Sequence, residues 1–308
     1  MNCPLCTNGE ARELECFPTR DLVSEYQRQL GVNVADEFSG IAAKTRLFRC
    51  GECSLEFFDP SVAGSGRFYV DVSATDGYYP SVRWEFARVA EKIAEDAEVL
   101  DVGCGDGDFL KSLPNRKKLG LDLNPSALEK AKEYDFPVRA ETLAQQDAAS
   151  ADAITLFHVM EHLNDPAEIL ADLVRVLRPG GLLAIAVPNN DGFIGRMIHA
   201  PLNGPPHHVL RWGAGSLRKI ADLYPVALEK LECEPVWPDQ MLMYRRTIYS
   251  NFVASLMGMK PKQYAITGST LIARKIGTAF AFARGWVGNA PPNDVDGHSI
   301  VAYFRKTK

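Results

Sequence analysis

Val99-Leu-Asp-Val-Gly-Cys-Gly-Asp-Gly-Asp108 is the stretch on which the reading of this 308-residue chain turns. A mostly apolar run over 98–102 leads straight into Gly103, Gly105 and Gly107, and a helical pattern opens at Asp108. Glycine is needed where a chain turns sharply off a strand and a ligand must approach the backbone closely. Dinucleotide-binding loops use Gly-x-Gly-x-x-Gly for similar reasons, but here the third glycine arrives one residue too early for that pattern. Asp101 precedes the loop on the strand, where it can pair with a cationic amino group.

Around this loop short apolar strands alternate with helices, the signature of an open parallel sheet. Strands are expected over 98–102, 118–122, 153–157 and 182–187, and helices over 83–94, 108–112, 125–134 and 166–177. A further helix is expected over 216–223, with strand-like segments at 227–232 and 299–304. The 166–177 helix puts Ile169, Leu170, Leu173, Val174 and Leu177 on one face. It is expected to stop at Arg178-Pro-Gly-Gly181, a helix terminus followed by a turn. Asp122 ends the second strand, 17 residues beyond Gly105, where a carboxylate can accept both hydroxyls of a ribose. A helix N-terminal charge is the other reading of Asp122, because Asn124 and Pro125 open the next helix.

Four segments occur in order: the loop itself, Leu119-Gly-Leu-Asp122, Phe157-His-Val-Met-Glu-His162 and Leu177-Arg-Pro-Gly-Gly181. Together they resemble the successive motifs of class I S-adenosylmethionine-dependent methyltransferases, over roughly residues 78–238 plus the final strand. That resemblance implies an α/β, Rossmann-like fold with a seven-stranded, mostly parallel sheet flanked by helices. It implies that Asp101, Gly103, Cys104 and Gly105 hold the methionine part of the donor, and Asp122 with Leu123 the ribose. The backbone at Ala140 and Glu141 would lie by adenine, with Phe157 and His158 lining the pocket. Tyr79 and Arg83, from the helix before the sheet, would reach the donor's carboxylate end.

His158-Val-Met-Glu161-His162 formally matches a zinc-protease pattern, His-x-x-Glu-His, but it leaves a buried strand and no further ligand motif follows. In the methyltransferase reading it lines the acceptor cleft. Methyl transfer to a hydroxyl needs alignment of the acceptor and removal of its proton, a task suited to histidine. His208 and His162 are the leading candidates, with His158, His207 and Glu161 beside them. His207 and His208 lie in Pro205-Pro-His-His208, on a proline-punctuated loop. Any of these histidines can equally serve only to bond backbone or hold the loop.

Cys3-Pro-Leu-Cys6 and Cys50-Gly-Glu-Cys53 form two Cys-x-x-Cys knuckles, whose four thiolates can complete a tetrahedral, structural zinc shell. A redox pair is the alternative. Such a ribbon ahead of this sheet resembles methyltransferases of bacterial sugar and glycan pathways, deoxysugar C-methyltransferases among them. The chain lacks their large carboxy-terminal domain, which favours a hydroxyl acceptor over carbon. The expected organisation is a zinc-ribbon module over 1–66, a methyltransferase domain over 67–238 and 289–308, and a basic helical insertion over 239–288.

Seven cysteines, an odd number, and the absence of a long apolar run or a secretory signal lead to the expectation of a cytoplasmic protein. The formal net charge of −5 argues against nucleic acid as the main partner. It is unevenly spread. Residues 241–288 carry seven Lys/Arg and no acidic residue. Within them, Ile272, Ile276, Phe280 and Ala283 form one apolar stripe of a helix, with Arg274, Lys275 and Thr278 elsewhere. This insertion is read either as a cap or homodimer contact, or as a surface for an anionic partner: a nucleotide sugar, a lipid-linked glycan or a membrane, which would make the protein peripheral to it. The expected function is methyl transfer from S-adenosylmethionine to a sugar or glycan hydroxyl. Sugar C-methylation, RNA base methylation and a non-catalytic donor-binding scaffold remain as alternatives.

Overall fold

The computed structural model describes residues 1–7, 10–75, 83–114, 117–260, 262–284 and 295–308. In chain order these form β1 (Ala11–Pro18), α1 (Thr19–Leu30), β2 (Lys44–Cys50), β3 (Glu56–Asp59), α2 (Gly66–Ser73) and α3 (Trp84–Ala90). Then come β4 (Val99–Val102), α4 (Asp108–Ser112), β5 (Lys118–Leu121), α5 (Pro125–Ala131), β6 (Val138–Arg139), β7 (Ala151–Phe157), α6 (Pro166–Val176) and β8 (Leu177–Pro188). β9 (Leu210–Arg211), α7 (Ala214–Leu223), β10 (Val226–Pro235), α8 (Met241–Leu256), α9 (Gly268–Arg284) and β11 (Asp296–Lys306) complete the chain.

Seven strands make one sheet in the order β6-β5-β4-β7-β8-β11-β10. β4 pairs in parallel with both β5 and β7, and β11 is antiparallel to β8 and β10. This is the α/β, mostly parallel architecture the sequence pattern predicts. Strands covered on both faces carry near-continuous apolar runs, and all four residues of β4 are buried. One face packs Val99, Phe109, Phe157 and Ala184; the other packs Leu100, Leu156, Leu173 and Leu183. The chain runs outward from β4 through β5 to β6, then returns to β7 on β4's other side. The resulting crevice beyond the strand ends is where open α/β sheets bind ligands.

The helix before β8 starts as its sequence dictates: the Asp165 side chain accepts from the N–H groups of Ala167 and Glu168, with Pro166 in the first turn. It ends at Val176, however, and Arg178-Pro-Gly-Gly181 belongs to β8 rather than to a turn. The physical reason is a bulge. Pairing of β8 with β7 jumps from Ala151↔Leu177 to Ala153↔Leu182, and Gly180 takes a φ of 76°, which absorbs the extra residues. Arg178 is pinned there by Glu98 at 2.7 Å and Asp152 at 2.8 Å.

The amino-terminal segment builds a second, antiparallel sheet, β1-β2-β3-β9. Its last strand comes from far along the chain: Glu56 faces Arg211 and Phe57 faces Leu210. The buried Arg211 guanidinium lies 3.1 Å from Glu56 and also reaches Asn190, Tyr264 and the Gly195 carbonyl. Cys3, Cys6, Cys50 and Cys53 pack into the same apolar cluster as Leu156, Val209 and Trp212.

α8 and α9 form a hairpin that is tied to this second sheet. The Glu15 carboxylate accepts the backbone N–H groups of Gln263, Tyr264 and Ala265 at 2.8–3.1 Å, and Arg274 lies 3.2 Å from Glu25. The two helices meet through small residues. A Cβ on Gly277 would stand 2.4 Å from the Ser250 nitrogen, and Ala273 and Ala281 are fully buried. The apolar stripe points outward: Ile272, Ile276 and Phe280 are 49%, 40% and 54% exposed. Close approach of two backbones selects Gly, Ala and Ser for the contact, and the bulky side chains are left on the far side. Among the described residues no helix is long and apolar enough to cross a membrane.

Candidate active site

The residues expected to hold a donor gather at the end of β4. Asp101 is 2% exposed, and its Oδ1 accepts a hydrogen bond from Thr155 Oγ1 at 2.7 Å, its register partner on β7. Burial raises the carboxyl to about 7; Asp122 adds to the rise, while Thr155 and Arg83 oppose it. Gly103, Gly105 and Gly107 all take the left-handed conformation, with φ of 70°, 51° and 65°. At Gly103 a Cβ would stand 2.5 Å from Val159 Cγ2, whereas at Gly105 it would meet nothing within 4 Å. The loop thus presses against the β7 end on one side and leaves open space on the other. Asp122 closes the arrangement. Its Oδ2 accepts from the Gly105 N–H and its Oδ1 from the Asn124 N–H, both at 2.8 Å.

Cys104 packs beneath the loop, where a Cβ on Gly120 would stand 2.6 Å from its Sγ. Leu123 is 67% exposed beside Asp122. Ala140 and Glu141 follow β6 at the surface, with Glu141 bonded to Gln146 at 2.8 Å. Phe157 stacks with Phe86 and Phe109 behind the donor pocket. Arg83 lies over the Phe86 ring and 3.7 Å from Glu85. Tyr79 lies outside the described residues.

The residues expected to face an acceptor lie beyond the end of β7. His158 takes a φ of 57° and turns its ring between two buried carboxylates, with Nε2 2.8 Å from Glu85 and Nδ1 3.4 Å from Glu161. Burial alone would lower its pKa, but Glu161 and Glu85 outweigh that and raise it to about 9. An imidazole already charged at neutral pH is a poor proton acceptor. Glu85 responds in kind: burial would raise it, yet His158 brings it down to about 2. Burial lowers His207 to about 3 and His208 well below its ordinary value. His162, His207 and His208 converge on one another, while His158 stands apart across Glu161. Residue-type reasoning missed Glu85, Thr155 and His298, whose ring lies 6.2 Å from that of His158. Nothing in a linear pattern pairs Glu85 with a histidine 73 residues away.

At the amino terminus the four cysteines converge as well. Cys3 and Cys53 sulfurs are 3.5 Å apart, Cys6 and Cys50 likewise, and all four lie within 4.8 Å of one another and are buried. Without a cation such thiols cannot ionise together. Hydrogen bonding with Cys53 lowers Cys3 to about 5, and the same contact raises Cys53.

Residues 77–224 match the protein family described as a methyltransferase domain. The segment that carries the glycine loop and Asp122 is thus similar to a methyltransferase domain over just under half of the chain. The chain is similar to a probable S-adenosylmethionine-dependent methyltransferase of Mycolicibacterium smegmatis, 32% identical over 145 residues, covering 44% of this chain and 54% of that protein. It is also similar to a ubiquinone biosynthesis O-methyltransferase of Idiomarina loihiensis, 33% identical, covering 37% of this chain and 50% of that protein. The chain spans about half the length of the curated relatives it matches. Among solved structures, a methyltransferase from Archaeoglobus fulgidus superposes with a TM-score of 0.45 at 18% identity, covering 72% of this chain and 93% of that one. The matched segment holds the glycine loop and five strands of the seven-stranded sheet, β4 to β8, while β10, β11, most of the cysteine sheet and the helical hairpin lie outside it.

Proposed function

We propose that the protein transfers the methyl group of S-adenosylmethionine to a hydroxyl of a small molecule, with a sugar, nucleotide sugar or lipid-linked glycan as the acceptor class. The donor site fits the group. A buried carboxylate at Asp101 suits the donor's ammonium, the open backbone at Gly105 leaves room for its chain, and Asp122 stands at the ribose position. Bound there, S-adenosylmethionine supplies a methyl carbon on a positively charged sulfur, a good leaving group. The protein's own residues must then orient the hydroxyl and take its proton.

The observation that carries the hydroxyl reading is the cluster of His162, His207, His208 and Glu161 beside the donor loop, whose Gly103 abuts Val159. His207 and His208, held neutral by burial, position the acceptor. The Glu161 carboxylate, 3.9 Å from both His162 and His208, stands where the proton leaves. A phenolic acceptor is the second reading, favoured by the relatives named for O-methylation in ubiquinone biosynthesis. Four thiolates within reach of one ion support a structural zinc in the amino-terminal sheet.

Feeding methyl-labelled donor and enzyme with fractionated cell extract tests the proposal. Label in a nucleotide-sugar or glycan fraction is the expected result. Label in a quinone-precursor fraction would favour the second reading, and label in RNA would overturn both.

A further inference from the structure

Two short loops bring three imidazoles together. One follows β7 through a single 3-10 turn at Met160–His162; the other passes a 3-10 turn at Pro201–Asn203 before entering β9. One ring nitrogen from each of His162, His207 and His208 falls within 4.8 Å of the others. The His207 and His208 rings stack with centroids 4.3 Å apart, and His162 stands edge-on to them at 4.8 and 5.1 Å.

Each ring is held from its Nδ1. That of His162 donates to the His207 carbonyl at 2.6 Å, that of His207 to the Leu202 carbonyl at 2.9 Å, and that of His208 faces Asn203 Oδ1 at 3.4 Å. The Asn203 amide is itself oriented, since its nitrogen donates to Asn190 Oδ1 and to the Ile194 carbonyl. Carbonyl oxygens only accept, so a proton of each ring sits on Nδ1, which leaves Nε2 as the nitrogen through which the neutral ring can face a metal. Outer oxygen acceptors that fix the tautomer and aim the lone pair are how proteins orient histidines toward a metal.

Glu161 supplies an independent sign. It is 1% exposed, neither carboxylate oxygen receives a hydrogen bond, and Oε1 lies 3.9 Å from Nε2 of both His162 and His208. His158 balances charge from the other side but is shared with Glu85. A buried carboxylate facing imidazole lone pairs calls for a cation between them.

We propose that His162, His207 and His208, backed by Glu161, bind a divalent transition-metal ion, separate from the cysteine site. Imidazoles with one carboxylate suit zinc, iron(II) or cobalt(II) rather than magnesium or calcium. Three protein ligands leave a position open. On the hydroxyl-acceptor reading above, on which this role rests, that position would take the acceptor oxygen and the released proton would pass to Glu161.

The full chain, equilibrated with zinc and then dialysed against zinc at about ten-micromolar free concentration, is assayed for metal by elemental analysis. Two equivalents per chain are expected. The His162→Gln/His208→Gln double variant should keep one, and Cys50→Ser/Cys53→Ser should lose the other. S-adenosylhomocysteine binding by calorimetry serves as the fold control for the histidine variant. With cobalt as probe, the histidine-dependent equivalent should absorb without a thiolate charge-transfer band. Glu161→Gln should weaken that equivalent about tenfold. A wild type that retains one equivalent or fewer overturns the proposal, as does a second equivalent that survives the histidine substitutions. Metal bound as expected with no methyl transfer to any hydroxyl would instead sink the acceptor reading and leave the site standing.

Discussion

At the residue scale the donor loop is strained and crowded at one point. Gly103 combines a φ of 70° with a missing Cβ 2.5 Å from Val159 Cγ2. Gly103→Ala should cost about 1–2 kcal/mol of backbone strain before any clash is counted, and should weaken S-adenosylhomocysteine at least tenfold by calorimetry. Gly103→Arg with Asp122→Ala should abolish binding; retained affinity would remove the loop from the donor site. Asp101 sets the pH dependence. A carboxyl raised in the fold to about 7 favours the folded state at low pH, and that contribution is lost as pH rises through about 7. A donor ammonium needs the carboxylate, so S-adenosylhomocysteine affinity should rise from about pH 6 to about pH 8 with release of a proton. A flat profile with no buffer-dependent heat would show that Asp101 does not meet the ammonium. The glycines and both aspartates were legible because each has a backbone or charge role that only its residue type performs. The partners of Asp101 and His158 were not, since Thr155 and Glu85 are ordinary residues given meaning by the sheet.

At the scale of elements, most strands and helices between 98 and 188 were legible from period and caps, because buried parallel strands and capped helices leave local marks; β6, two residues long, shows no period and was not. The Arg178–Gly181 segment misled, since a Pro-Gly-Gly run marks a bulge as well as a turn; only pairing with β7 separates the two. In the α8–α9 hairpin the helical insertion was legible and its covered face was not. Periodicity finds the greasy side of a helix, yet it does not say whether a partner is there. Here Gly277 against Ser250 sets the spacing of the pair. Gly277→Leu should force the helices apart and cost about 1–3 kcal/mol in denaturant unfolding, with donor affinity unchanged. An unaltered unfolding midpoint would mean that the contact is loose. The outward stripe, joined by the half-exposed Phe252 and the Tyr249–Phe280 contact, bears on the anionic-surface reading. Flotation with anionic liposomes is expected for the wild type and not for Phe252→Glu/Phe280→Glu. Wild type that stays with the pellet would discard the membrane version.

For the whole molecule, the decisive feature is the sharing of one sheet between chain ends far apart in sequence. The thiolate cluster belongs to the same apolar core as Leu156 and Trp212. Disrupting the cysteine cluster should therefore unsettle β9 and the histidine loop before it as well as the amino terminus. Cys50→Ser/Cys53→Ser is expected to lower the thermal midpoint by roughly 10 °C in a single transition. Two separate transitions would show that the sheets unfold independently.

The same shared sheet has a consequence during synthesis. β3 is made early, but its neighbour β9 lies about 150 residues downstream, which is on the order of ten seconds or more of translation. Until Leu210 and Arg211 leave the ribosome, the nascent chain carries an open strand edge, with the Glu56 carboxylate awaiting the Arg211 guanidinium. The amino-terminal sheet is thus begun first and closed only when β9 has been made.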